Sequence, residues 1–219
     1  MSKLCKTIRV TIDNNLDFHE HVSKICKRAS QKLHALARIS HLMNSDKLRI
    51  TMKAFIESQF SYCLLIWMFH DRTVNININR LHERSLRLVY KEPHLTLEEL
   101  LKKDGSFCIH HRNLQKLATE MYKTLNNIPP IFMKDVFPER EMSYALRKNN
   151  PFQSRNVNSV YNGTENLSFR GSKTWEMVPT DIKKSKSLKE FKAKIKNWKP
   201  KGCTCRLCKT YVHNIGFLV

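Results

Sequence analysis

The sequence predicts a mainly α-helical protein, on three observations. Apolar residues recur every three or four positions over several long stretches, as on the buried face of a helix. Two capping boxes, Thr96 with Glu99 and Ser187 with Glu190, mark helix starts. Strand-like alternation is confined to one short stretch near the N-terminus. We therefore expect a helical bundle with a short N-terminal strand, an irregular segment over residues 138–172 and a Cys-rich C-terminal tail.

Residues 1–18 predict a short strand and a turn. Ile8, Val10 and Ile12 alternate on one face, and Asn14-Asn15 then provides the turn. A strand this short is not stable alone, so it needs a pairing partner. We expect that partner either later in the chain or in a segment missing from it.

Residues 19–137 predict one helical domain. Its first helix runs from His19 to Ile39, and its second starts at Asn44 or Ser45 and continues through Trp67 as the central core helix. A third helix covers about residues 75–90, a short one follows Thr96, and another covers about residues 110–125. The residues expected to face the core are Val22, Ile25, Cys26, Ala29, Leu33, Leu36, Ala37, Leu48, Met52, Phe55, Ile56, Gln59, Tyr62, Cys63, Ile78, Leu81, Leu88, Val89, Leu114, Leu117, Ala118, Met121, Tyr122 and Leu125.

The last third of the chain divides into three parts. Residues 138–172 are rich in Asn, Ser and Arg and show neither helical nor strand periodicity, which predicts an irregular linker. Residues 173–201 predict a basic helical segment, whose apolar stripe contains Leu188, Phe191, Ile195 and Trp198. Residues 202–219 form the Cys-rich tail.

The net charge is the strongest functional indication in the sequence. The chain has 39 Lys and Arg against 19 Asp and Glu, a formal charge of +20. Such an excess favours polyanionic partners, and because it lies along amphipathic segments we expect RNA or DNA backbone and no membrane partner. The alternative is a solvated basic surface without a specific ligand. On such a surface Glu83 and water would compensate the charges of Arg80, Arg84 and Arg87. The candidate nucleic-acid-binding residues are Lys24, Lys27, Arg28, Lys32, Arg80, Arg84, Arg87, Lys192, Lys196 and Lys199.

Several classes of catalytic site have no counterpart in the sequence. The five glycines form neither a dinucleotide-binding nor a Walker loop, and the only adjacent acidic pair, Glu98-Glu99, belongs to a capping box. His110 and His111 follow Cys108 closely, but neighbouring helical residues point about 100° apart. We therefore expect no catalytic residues and no enzymatic activity.

The C-terminal tail contains a candidate zinc site. Cys205 and Cys208 have the C-x-x-C spacing of a zinc knuckle, Cys203 offers a third thiolate, and His213 could supply the fourth ligand. Nearby basic side chains would lower the thiol pKa and favour metal binding or thiol reactivity. Unpaired thiols and an unstructured tail are the alternatives.

The cysteine count and the apolar runs bear on the compartment. Seven cysteines are an odd number, which disfavours a secreted disulfide framework and favours reduced thiols. The N-terminus lacks the apolar core of a signal peptide, and the longest apolar run, residues 62–69, is far short of the ~20 residues of a membrane span. We expect an intracellular protein of the nucleus or cytoplasm.

A family resemblance covers almost the whole chain, in order. The stretches "QFSYCLLIWMFH", "NRLHERSLRLVY", "LSFRGSKTWEMVP" and "WKPKGCTCRLCKTYVHNIGF" resemble the C-terminal part of reverse transcriptases from LINE-type, jockey-like non-LTR retrotransposons. The resemblance implies a strand from the end of the polymerase palm, then the thumb and post-thumb regions. It also implies a parent RNA-directed DNA polymerase and, as a partner, the missing palm.

The same resemblance implies that this chain lacks the parent's reaction. The family's Tyr-x-Asp-Asp signature has no counterpart, since no Asp-Asp occurs in the sequence. The chain also has Ile8-Arg9 where relatives often have Leu-Gly, and Leu64 where they often have Pro. Two hypotheses follow: a thumb-like module that binds nucleic acid through basic helices, or an inactive remnant or helical protein-interaction module without specific nucleic-acid function.

Overall fold

The fold is mainly helical, as the sequence predicts. A computed structural model describes residues 5–7, 10–12, 18–67, 72–128, 130–140, 150–153 and 166–200. The chain forms two compact units, Met1–His110 and His111–Val219. The predicted single domain over residues 19–137 is therefore divided, because residues 111–137 belong to the second unit. No helix within the described ranges is both long and apolar enough to cross a bilayer.

The first unit begins with a two-stranded antiparallel hairpin. Strand β1 (Cys5–Thr7) pairs with β2 (Val10–Ile12), with Thr7 opposite Val10 and Lys6 opposite Thr11. From the sequence, we expect the partner of the N-terminal strand to lie later in the chain or in a missing segment. That expectation is wrong, because the partner of β2 is β1, which precedes β2 in the sequence. Ile8 lies outside the described residues.

The first two helices match their predicted starts. Helix α1 (His19–Ile39) buries five of the predicted core residues, whereas Cys26 is half-buried and Ala37 is exposed; the five are Val22, Ile25, Ala29, Leu33 and Leu36. Helix α2 (Ser45–Phe55) is capped by Asn44, whose side chain accepts a hydrogen bond of 3.0 Å from the Lys47 backbone N–H.

The predicted continuous core helix to Trp67 is interrupted. Helix α2 ends at Phe55, a 3₁₀ turn covers Glu57–Phe60, and a single helical turn, α3 (Leu64–Trp67), follows. Cys63 has φ 46°, which is incompatible with a continuing right-handed helix, and the Trp67 indole donates to the Tyr62 carbonyl at 3.0 Å. Phe55, at the end of α2, and Tyr62, within the break, are both exposed rather than in the core.

The first unit is completed by two helices. Helix α4 (Arg72–Tyr90) packs against both α1 and α2 through a stripe that includes Ile78, Leu81 and the buried His82, while Leu88 is half-buried. Helix α5 (Leu97–Asp104) has the predicted capping box at Thr96 and ends at Gly105, whose φ of 62° closes the helix.

A buried carboxylate connects three of these helices. Asp104, at the end of α5, accepts hydrogen bonds from Arg49 Nε of α2 at 2.5 Å and from Tyr90 Oη of α4 at 2.7 Å, with Lys53 Nζ at 3.5 Å. Burial opposes ionisation of Asp104, but the hydrogen bonds from Arg49 and Tyr90 and the charge of Lys53 favour it, and its pKa is lowered to about 2. Asp104 is therefore ionised at neutral pH and joins α5 to α2 and α4.

The described part of the second unit contains most of α6 (Ile109–Leu125) and four further helices. These are α7 (Met133–Val136), α8 (Leu167–Met177), α9 (Thr180–Lys183) and α10 (Leu188–Ile195). Helix α8 starts inside the segment 138–172 that the sequence predicts to be irregular, where Asn166 caps it by accepting from the Ser168 N–H at 2.9 Å. Within the same segment Glu139 and Phe152 form an antiparallel bridge.

Aromatic side chains form the core of the second unit. Tyr122 of α6 stacks on Phe191 of α10 with ring centroids 4.2 Å apart, and Phe191 stacks on Trp175 of α8 at 6.1 Å. Trp175 in turn contacts Phe152 edge to face at 5.8 Å. Tyr122 Oη also donates to the Ser185 carbonyl at 2.8 Å. These contacts join α6 to the basic C-terminal segment, which explains the position of the boundary between units.

Candidate nucleic-acid interface

Helices α1 and α4 pack together in the first unit and leave a groove of about 470 Å³ between them. Both helices bury apolar stripes in the core of the unit. The lining residues recur every three or four positions on each helix, so one face of α1 and one face of α4 form the two walls. They are His19, Val22, Ser23, Cys26, Lys27 and Ser30 on α1, and Asn77, Arg80, Leu81 and Arg84 on α4.

The groove is strongly basic. Three of its lining residues, Lys27, Arg80 and Arg84, are cations, and none of the ten is acidic. All three are exposed at the surface, and no carboxylate within the described part of the chain forms an ion pair with them. Like charges this close repel one another, so an anion in the groove would relieve an unfavourable arrangement.

The groove lining also contains uncharged polar residues. Ser23, Ser30 and Asn77 can donate hydrogen bonds to phosphate oxygens. Burial raises the pKa of the Cys26 thiol to about 11, so Cys26 remains uncharged at neutral pH and does not reduce the positive charge of the groove. We did not predict these neutral residues as part of a site, although Ser23, Cys26 and Ser30 share a helical face with Lys27.

Other predicted cations of the first unit have partners of their own. Lys24 pairs with Glu20 one turn earlier, and Lys32 lies over the Phe55 ring at 5.8 Å from its centroid. Arg87 donates to Glu83 at 2.7 Å and to the Leu95 carbonyl at 3.3 Å. The expected face of three arginines is therefore reduced to two.

Arg28 lies on α1 outside the groove. It is exposed, and its charge acts on the buried imidazole of His21. Of the seven cations predicted in the first unit, the structure thus brings Lys27, Arg80 and Arg84 together.

The predicted cations of the second unit are exposed but differ in setting. Lys192 lies in the last turn of α10, Lys196 caps its C-terminus, and Lys199 lies beyond the helix. Cations at a helix C-terminus interact favourably with the helix dipole, which gives Lys192 and Lys196 a local stabilising role. The Lys196 carbonyl also accepts a hydrogen bond from Gln115 Nε2 at 3.2 Å.

The predicted zinc ligands Cys203, Cys205, Cys208 and His213 lie outside the described residues. Among the residues that are described, no group of three or more His, Cys, Asp or Glu side chains is arranged to hold a metal ion. Cys26, Cys63 and Cys108 are not joined in disulfides.

Comparison of the chain with protein-family models, with curated proteins and with solved structures finds no match. The groove between α1 and α4 is therefore interpreted from its own geometry and charge.

Proposed function

We propose that the chain binds the phosphate backbone of RNA or DNA through the groove between α1 and α4. The observation that carries this proposal is the convergence of Lys27, Arg80 and Arg84 on a groove whose lining contains no carboxylate. Three cations can neutralise up to three phosphates and release the counterions bound to them, which favours binding at low salt. The three cations would contact phosphates, which carry no base identity, and the lining contains no Phe, Tyr or Trp, so we expect little sequence preference.

The family resemblance extends this proposal. We interpret the chain as a non-catalytic C-terminal segment of a retrotransposon reverse transcriptase, with α1 and α4 in its thumb-like part. In that setting the groove would hold nucleic acid while catalysis belongs to the polymerase palm. The quoted sequence stretches support this assignment, and the basic groove supplies a binding surface of the expected kind.

A second candidate function is a helical protein-interaction module whose partner is the missing palm. The observation that favours it is the exposure of large apolar side chains in the first unit, including Leu42 at 75%, Ile50 at 70% and Phe55 at 54%. Such residues favour association with a partner or with other copies of the chain. This candidate predicts self-association of the isolated chain and only nonspecific attraction to polyanions.

Nucleic-acid titration with two charge-matched variants tests the proposal. One variant replaces the three groove cations, as Lys27→Gln, Arg80→Gln and Arg84→Gln. The control replaces three exposed cations of the same unit outside the groove, as Arg38→Gln, Lys47→Gln and Lys102→Gln. Both variants lose three positive charges, so general attraction to a polyanion weakens equally in the two.

Fluorescence anisotropy with labelled RNA and DNA of mixed sequence, at salt concentrations between about 50 and 200 mM, provides the readout. Each phosphate contact contributes about 0.9 to the slope of log affinity against log salt on duplex DNA. The groove variant should lose up to about 2.7 from that slope and bind more weakly than the control at every salt concentration. Equal losses in the two variants would show that the groove has no special role and would favour nonspecific attraction.

A further inference from the structure

A hydrogen bond to a histidine joins the N-terminal hairpin of the first unit to α1. The backbone N–H of Thr11 on β2 donates a hydrogen bond to His21 Nδ1 on α1 at 3.2 Å. Thr11 and His21 are each only 4% exposed. Because Thr11 uses its N–H for this bond, this donor of the β2 edge is covered by α1 and does not face water.

This hydrogen bond requires a neutral imidazole. Nδ1 can accept only when it carries no proton, so the ring must carry its single proton on Nε2. Nε2 is buried and has no hydrogen-bond partner among the described residues. The ring lies edge to face with the indole of Trp67 on α3, with centroids 6.3 Å apart.

Protonation of His21 would oppose docking in two ways. The imidazolium would present an N–H donor to the Thr11 N–H donor, which destroys the hydrogen bond. It would also place a positive charge on a buried ring whose Nε2 has no acceptor among the described residues. Either effect is relieved when the hairpin moves away and water reaches the ring.

We propose that His21 is a pH-sensitive latch, whose protonation releases the hairpin β1–β2 from α1 while the helices of the first unit remain folded. The charged groups that act on His21 are Arg28 and Lys24 of α1, both positive. Strand β2 and helix α3, which contact the ring, contain no titratable side chain. The nearest carboxylates in sequence and packing have other partners, since Glu20 of α1 pairs with Lys24 and Glu57 of the 3₁₀ turn contacts His82. No carboxylate is among the groups that shift the pKa of His21.

The direction of the pH dependence follows from these surroundings. Burial, then Arg28 and Lys24, lower the pKa of His21 below its ordinary value of 6.5. Above pH 6.5, the ordinary pKa of histidine, His21 is neutral whether or not the hairpin is docked, so the docked state has its full stability. Docking weakens as the pH falls from about 6.5 towards the lowered pKa, and in that window the equilibrium constant for release rises by up to about tenfold per pH unit.

Amide hydrogen exchange of the full chain, resolved by residue with NMR, tests the latch. The protection factor of the Thr11 amide, corrected for the intrinsic pH dependence of exchange, should fall by up to about tenfold per pH unit below about pH 6.5. The amide of Leu33, in the middle of α1, should change less than about twofold over the same range. Titration of the ¹⁵N-labelled imidazole of His21 should follow the loss of Thr11 protection.

The variant His21→Asn serves as the control that separates a latch from a structural role. The Asn carboxamide oxygen takes nearly the position of Nδ1 and accepts the Thr11 N–H, but it has no proton to gain. Thr11 protection in this variant should be present at about pH 7 and unchanged at about pH 5.5. The proposal is overturned if wild-type protection is constant over this range, if the Asn variant loses protection as the wild type does, or if His21 remains neutral while protection falls.

Discussion

Replacement of the buried Asp104 by asparagine should destabilise the first unit in a pH-dependent way. The side chain of Asp104 is fully buried and accepts hydrogen bonds from Arg49 and Tyr90, with Lys53 nearby. The asparagine side chain would keep an acceptor for the Tyr90 hydroxyl but would lose the charge that attracts the two cations. The change therefore isolates the ionic part of the interaction.

The magnitude follows from the pKa of Asp104. Its pKa is lowered from 3.8 to about 2, which corresponds to about 2 kcal/mol of stability at neutral pH, at about 1.4 kcal/mol per pKa unit. Arg49 and Lys53 are 38% and 37% exposed, so both can turn to water when the carboxylate is removed. The loss should therefore lie near about 2 kcal/mol, below the roughly 3–5 kcal/mol of a fully buried pair.

The sign of the pH dependence is fixed because the folded-state pKa is the lower one. The contribution is complete well above pH 3.8 and is lost as the pH falls through 3.8 towards 2. The difference in unfolding free energy between wild type and Asp104→Asn should thus fall from about 2 kcal/mol at about pH 7 to about half that value at about pH 3.

Native-state hydrogen exchange of amides in α2 and α5 measures this difference within the first unit, without interference from the second. Asp46→Asn is the matched control, because Asp46 is exposed in the first turn of α2 and should contribute less than about 1 kcal/mol through the helix dipole. A loss for Asp104→Asn that is equally large at neutral pH and at about pH 3 would refute the electrostatic explanation.

Two further predictions concern the second unit and the tail. A Cβ at Gly171 of α8 would lie 2.9 Å from Phe137 Cδ1 and closer still to Cε1, and Phe137 is fully buried. Gly171→Ala should therefore destabilise the second unit by about 1–3 kcal/mol, measured by exchange of amides in α6 and α10. For the tail, replacing Cys205 and Cys208 by Ser should lower zinc bound per chain, measured by atomic absorption; equal zinc in both forms would exclude the site.

The fold was predictable where local pattern determines it. Helix α1 has the predicted bounds because one apolar stripe continues over its whole length, and Thr96 and Gly105 mark the ends of α5 by capping chemistry. The break between α2 and α3 was not predictable in the same way. Apolar residues continue through it, and the positive φ of Cys63 becomes evident only in the folded chain.

The sequence predicts that the candidate site is basic, but it does not predict well which basic residues form the site. Glu20 with Lys24, and Glu83 with Arg87, have the i, i+4 spacing that pairs charges on a helix, so the sequence did contain the information that removes two of the predicted cations. By contrast, Lys27 joins Arg80 and Arg84 only because α1 packs on α4. No local spacing relates residues on two helices that are so distant in sequence.

The buried polar residues of the first unit are the feature that the sequence predicts least well, and the reason is physical. Hydrophobic periodicity identifies buried positions by their apolar side chains, so it does not identify His21, His82 and Asp104 as buried. Each has a partner distant in sequence: Thr11 for His21, Glu57 for His82, and Arg49 for Asp104. Because a buried polar group without its partner is costly, each of these pairs penalises a packing in which the two elements are displaced. Apolar contacts tolerate small shifts between helices better than directional hydrogen bonds do. These three pairs therefore restrict how the hairpin lies on α1, how the 3₁₀ turn Glu57–Phe60 lies on α4 and how α5 lies on α2.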